Sequence, residues 1–95
     1  MAYKVLQKRR FIRQYKKLHS NVIEDVDKAV AQIAKTPTIG ERKKGDLSSL
    51  FVYKFYSQTQ LYLLGYTIED RLYLIYLEVI APHENFYRDF KLSAP

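Results

Sequence analysis

The chain has 95 residues, with 16 Lys+Arg against 10 Asp+Glu, a formal net charge of +6. That length allows one domain, spanning residues 1–95, and 47% hydrophobic residues are enough for one two-layer core, which argues against global disorder. The absence of cysteine excludes a disulfide framework and a cysteine nucleophile, and two histidines, His19 and His83, are too few for a His-based zinc site, so neither metal nor cofactor is expected.

Tyr3 to Leu6 reads as a short strand, with Val5 inward. Phe11, Tyr15 and Leu18 then recur at helical spacing, and the residues around them include Arg9, Arg10, Arg13, Lys16 and Lys17. The first acidic residue is Glu24, so this helix is purely basic. A break at His19-Ser20 precedes a second helix, in which Asn21 and Glu24 have the spacing of a variant capping box. Ile23, Val26, Val30 and Ile33 form its apolar stripe, and Thr36-Pro37 ends it, because the residue before proline avoids helical backbone. Helices joined so closely should form an antiparallel hairpin.

Thr38 to Ser48 reads as a polar connection containing Arg42, Lys43 and Lys44. The period then changes from 3.6 to 2. Leu50–Ser57, Leu61–Ile68 and Leu72–Ile80 read as strands separated by short turns, hence as an antiparallel meander. In the third strand, alternation sets Leu72, Leu74, Tyr76 and Glu78 on one face and Tyr73, Ile75, Leu77 and Val79 on the other. Both faces are largely apolar or aromatic, so one carries the helical hairpin and the other is free for core, ligand or partner. Pro82 to Lys91 reads as a short helix with Phe86 and Phe90 inward. The expected fold is α+β: a short N-terminal strand, an antiparallel helical hairpin packed on a three-stranded antiparallel meander, and a short C-terminal helix.

No run of about 18 apolar residues exists to cross a membrane, and the basic segment Met1–Lys17 lacks the apolar core of a signal peptide. The expectation is a cytoplasmic protein with no membrane partner. Its basic excess points to a polyanion, nucleic acid ahead of a membrane surface.

His83 stands where the last strand gives way to the short helix, with Tyr87 one helical turn on and Arg88 beside it. A histidine exchanges protons near neutral pH, a tyrosine donates or stacks, and a cation stabilises a pentacovalent phosphate. Those parts suffice to cleave RNA without a metal: the 2′-hydroxyl is deprotonated and attacks its own phosphate, while the leaving 5′-oxygen is protonated. A plainer account, a surface histidine beside a core-edge tyrosine, fits the same spacing and is the commoner case. Lys54 interrupts an otherwise apolar strand on the face of Val52 and Tyr56, where it either snorkels to solvent or meets a phosphate. Arg42, Lys43 and Lys44 in the connection, and the basic first helix, are either phosphate contacts or solvated surface.

The order of parts resembles the RelE/ParE superfamily of bacterial toxins over nearly the whole chain. The most telling stretches are Gly45–Phe55, Gln60–Tyr66 and Pro82–Asp89, the last with a histidine after the final strand and a tyrosine a few residues on. The resemblance implies a type II toxin neutralised by a cognate antitoxin. RelE-like members cut mRNA in the ribosomal A site without a metal, and ParE-like members poison DNA gyrase. Under the first alternative, His83, Tyr87, Lys54 and Arg88 are the expected catalytic set. Arg42, Lys43, Lys44, Arg9, Arg10, Arg13 and Lys91 are the expected RNA contacts, with ribosome and mRNA as partners. RelE-like toxins often carry an arginine after a tyrosine on the second meander strand, but here Leu63 follows Tyr62, and Glu78 and Ile80 stand near where RelE itself is basic. Those departures keep the gyrase alternative open. An acidic, disordered antitoxin segment is expected to wrap the basic helical hairpin and cover part of the sheet.

Overall fold

The structure, a computed structural model, describes residues 3–43 and 49–87. Strand β1 (Lys4–Gln7) leads into helix α1 (Arg9–Lys16), then α2 (Ser20–Lys35). A 3-10 turn (Pro37–Ile39) follows, then strands β2 (Glu41–Arg42), β3 (Phe51–Ser57), β4 (Gln60–Glu69) and β5 (Leu74–Pro82). Helical backbone resumes at 83–87, here α3. Among the described residues, no helix is long and apolar enough to cross a membrane.

The expected meander is present, and the sheet is wider than the meander alone. Its order is β1-β5-β4-β3-β2, five strands in all. β1 joins β5 in parallel, Val5 opposite Ile75, and β2 extends the other edge, Glu41 opposite Val52. The N-terminal strand therefore lies beside the last one, across a crossover containing both helices. β2 falls within the stretch read from sequence as a connection, since two polar residues carry no alternation to detect.

Helix α1 has only 8 residues, and helices that short are marginal alone. Its basic last turn, Arg13 and Lys16, suits the helix dipole, but its anchorage is Phe11, which is fully buried. α2 begins two residues earlier than the sequence suggested. Its cap is His19, whose Nδ1 accepts from the Asn21 N–H at 3.2 Å, so Asn21 is helical and no Asn21–Glu24 box forms. The earlier start goes with a buried stripe of Val22, Val26, Ala29 and Ile33, while Ile23 and Val30 sit half-buried at its flank. The helices are joined to each other by Tyr15, whose hydroxyl donates to Asp27 Oδ1 at 2.6 Å. That bond pushes the phenol from 10.0 up to about 12, with burial and the Asp27 charge adding to the effect.

β3 and β4 meet at a two-residue tip, Gln58 (φ 52) and Thr59 (φ 65). Both residues adopt the left-handed region that such a tight hairpin requires, without glycine to ease it. β5 begins at Leu74 rather than Leu72, because Asp70–Leu72 close a 3-10 turn and Tyr73 takes a left-handed conformation (φ 53). The alternation along β5 also breaks: Tyr66 pairs with Leu77 but Gly65 with Val79, leaving Glu78 as a bulge. A bulge shifts every later residue to the opposite face. Val79 accordingly lies on the face away from Ile75 and Leu77, not with them as strict alternation expects. Past the end of β1, the N–H of Ile80 donates to Gln14 Oε1 of α1 at 2.9 Å.

The helices cover one face of the sheet. Their stripe meets Tyr62, Leu64, Tyr66, Ile75, Leu77 and Ile80, flanked by Phe51, Tyr53 and Phe55. Aromatic rings stack along this face: Phe51 on Tyr66 at 5.5 Å, and Phe55 between Tyr53 and Tyr62 at 6.2 and 5.9 Å. Tyr66, wholly buried, donates its hydroxyl to the Pro37 carbonyl at 2.6 Å and accepts from the Gly40 N–H at 2.9 Å. Both polar roles of that hydroxyl are thus satisfied inside the core.

Candidate active site on the open face

The other face is covered only in part. Leu50, Val52, Leu63, Val79 and Ala81 form a small apolar bed, and Phe86 of α3 lies on it, 0% exposed. The seat for that ring is Gly65. A Cβ there would stand 2.9 Å from Phe86 Cζ and 2.8 Å from Val79 Cγ1, so a side chain at this position and Phe86 in this place exclude one another. Phe86 in turn fixes where α3 runs, and α3 carries His83 and Tyr87.

His83 is exposed at the first turn of α3, at the rim where β5 ends. Glu84 beside it accepts from Gln60 Nε2 at 3.4 Å, which ties the α3 start to the β3–β4 hairpin. Tyr87 is half-buried: its ring meets Phe86 edge-on at 4.9 Å and packs against the same apolar bed. Lys43, just after β2, places its ammonium 5.5 Å from the Tyr87 ring centroid and pairs with Glu41 at 3.4 Å. The neighbouring Tyr87 hydroxyl is the largest influence on that ammonium and raises its pKa, against burial that lowers it. Lys54 is exposed on β3, and alternation from buried Val52 puts it on this open face. It pairs with Leu63, which pairs with Ala81, so the lysine and the end of β5 are two strand spacings apart, about 10 Å.

The open face thus brings together Lys54, Tyr87 and Lys43, with His83 at its rim. It does not gather every residue singled out from sequence. Arg9, Arg10 and Arg13 belong to α1, on the opposite face, and address a different surface. Arg42 lies exposed in β2 at the sheet edge. Lys44, Arg88 and Lys91 lie outside the described residues. Leu63, which follows Tyr62 on β4, is 0% exposed beneath α3. A cavity of about 200 Å³ between α2 and β3 is lined by Asp25, Lys28 and Phe55 among others. Tyr56, at the outer edge of β3, borders that cavity as well as the open face. Among the described residues, no group of three or more His, Cys, Asp or Glu could hold a metal ion.

The tie between Lys43 and Tyr87 was not legible in sequence. The two residues are 44 positions apart, and a lysine in a basic run carries no sign of a particular ring partner.

A helical hairpin on one side of a five-stranded sheet, with basic and aromatic side chains around a small helix on the other, defines a small α+β fold. The chain belongs to the ParE-like toxins of type II bacterial toxin–antitoxin systems, whose family model matches residues 5–91. Among solved structures it is similar to a free mutant of the E. coli toxin RelE. The TM-score is 0.77 at 21% identity, covering 99% of this chain and 95% of that one. It is also similar to the RelBE2 toxin–antitoxin complex of Mycobacterium tuberculosis, with a TM-score of 0.77 at 19% identity over 87% of this chain and 100% of that one. For the archaeal RelE–RelB complex of Pyrococcus horikoshii the TM-score is 0.61 at 16% identity, over 86% of this chain and 96% of that one. No curated protein matches the sequence at a significant level. At these identities the structural likeness is one of fold.

Proposed function

We propose that this type II toxin is a ribosome-dependent endoribonuclease that cleaves mRNA and is neutralised by a cognate antitoxin. The observation that carries this reading is the shared open face: Lys54 and Tyr87 lie on it and His83 stands at its rim, all accessible to a strand of RNA. His83 takes the proton of the attacking 2′-hydroxyl or supplies one to the leaving 5′-oxygen. Lys54, with Arg88, offsets the charge that builds on the phosphate. Tyr87, held between Phe86 and Lys43, orients the scissile nucleotide. Arg42, Lys43, Lys44 and Lys91 grip RNA backbone around this centre, and Arg9, Arg10 and Arg13 reach RNA only on the far side of the molecule. An acidic antitoxin segment wraps the basic hairpin and covers part of the sheet, a reading supported by the charge of α1 and by the RelB complexes of the RelE-fold proteins.

The test is primer extension on a reporter mRNA translated with purified toxin. Cuts at codon positions that depend on translation are expected, and His83→Ala should slow them by about 10²–10⁴-fold. Full-rate cleavage by His83→Ala and Tyr87→Phe would sink the site assignment. A second reading, a ParE-like inhibitor of DNA gyrase that is not an enzyme, is favoured by the burial of Leu63, which leaves β4 without a cation at that place. It predicts double-strand DNA breaks with mRNA left intact.

A further inference from the structure

Of the nine tyrosines in the chain, eight have rings packed on another ring or beneath a lysine. Tyr56 differs. Among the described residues its ring makes no stacking or cation–π contact and its hydroxyl no hydrogen bond; it is 73% exposed and borders the cavity that Lys28 and Phe55 also line. A lone exposed apolar residue is unremarkable by itself. The place of this one is what matters.

Tyr56 is two residues beyond Lys54 on β3, so the ring and the ammonium leave the strand on the same side, about 7 Å apart at the backbone. That is a span one nucleotide bridges from phosphate to base. Across the hairpin Tyr56 pairs with Leu61, and the next residue, Gln60, is bonded to Glu84 beside His83. The two-residue tip at Gln58 and Thr59 joins the paired strands β3 and β4, so the ring stands on a strand held by its ladder. A tyrosine with two side-chain torsions loses little freedom when something flat covers it.

We propose that Tyr56 is a stacking platform for the nucleobase adjoining the cleaved phosphate, with Lys54 holding that phosphate. This deepens the ribonuclease reading and rests on it. Every nucleobase has a π-face, so the platform tolerates any sequence and contributes affinity more than codon choice.

The experiment uses translating ribosomes whose A-site codon carries 2-aminopurine, with 2′-O-methyl groups blocking cleavage. The full-length toxin should quench the fluorescence on binding. Tyr56→Ala should abolish the quench and bind about 5- to 100-fold more weakly, with an unchanged salt dependence. Tyr56→Phe should behave as the parent, because stacking needs the ring and not the hydroxyl. Lys54→Ala should keep the quench and lower the salt slope by about 1. Parental binding and quench in Tyr56→Ala overturn the platform alone, and so does a Tyr56→Phe protein as weak as Tyr56→Ala. Failure of the parent to engage ribosomes removes the ribonuclease reading, and the platform with it.

Discussion

The two faces of the sheet use the same residue types to opposite ends. Under the helices, tyrosine and phenylalanine are consumed in packing: rings stack in rows, and the buried Tyr66 hydroxyl has both a donor and an acceptor. Across the sheet, one ring in a glycine seat holds down α3, and around it Lys54, Tyr56 and His83 remain exposed. The first face makes the protein stable, and the second leaves side chains free to meet a ligand. A composition rich in tyrosine is therefore not in itself a stacking surface, because burial decides which rings are available.

The contrast can be broken most directly at Gly65. Gly65→Ala puts a methyl group 2.8 Å from Val79 Cγ1 and 2.9 Å from Phe86 Cζ. Overpacking of this kind costs about 1–3 kcal/mol. The expected result is a lowered urea midpoint and, on the ribonuclease reading, loss of cleavage as α3 lifts, while amide exchange in α2 stays slow. Full activity and stability would mean that α3 is not seated by this glycine.

A smaller effect is expected at Lys43. Lys43→Met keeps the aliphatic stem but removes the charge over Tyr87, and a contact of that type near the surface contributes about 0.5–1 kcal/mol. Amides in 83–87 should exchange faster while those of α2 do not change. Unaltered exchange would show that the ammonium does not hold the ring.

The smallest effect sharpens the helix-covered side. The Tyr15 phenol is pushed from 10.0 up to about 12 by Asp27, so the folded state keeps a proton that the unfolded chain gives up first. Its contribution is complete below pH 10.0 and is lost as pH rises toward about 12. In Tyr15→Phe the urea midpoint should be slightly lower at neutral pH and should fall less steeply over that alkaline range. Parallel curves for the two proteins would remove Tyr15 as a contributor.

Much of the architecture was legible in the sequence because it repeats locally. The spacing of Phe11, Tyr15 and Leu18, the stripe through Val26 and Ile33, and the alternation in β3 each report one element meeting an apolar layer, and the unbroken apolar run of β4 reports a strand buried on both faces. Of the candidate site the sequence offered residue types at plausible places: His83 at a strand end, Tyr87 a turn later, Lys54 in an apolar strand. Less was legible where a single residue changes the count. Glu78 bulges and turns Val79 over, and His19 takes the cap that Asn21 was expected to hold.

The sequence by itself determined the order and kind of the elements, the basic character of α1 and the chemical groups available for a site. Periodicity carries that information, since it needs only near neighbours along the chain. Tertiary structure alone decided that β1 pairs with β5, that Gly65 receives Phe86, that Lys43 finds Tyr87, and that Tyr56 is the most exposed of the tyrosines, with no ring stacked on it. These are meetings between distant segments, settled by which surfaces fit once the sheet has closed over its core, and no local pattern records them.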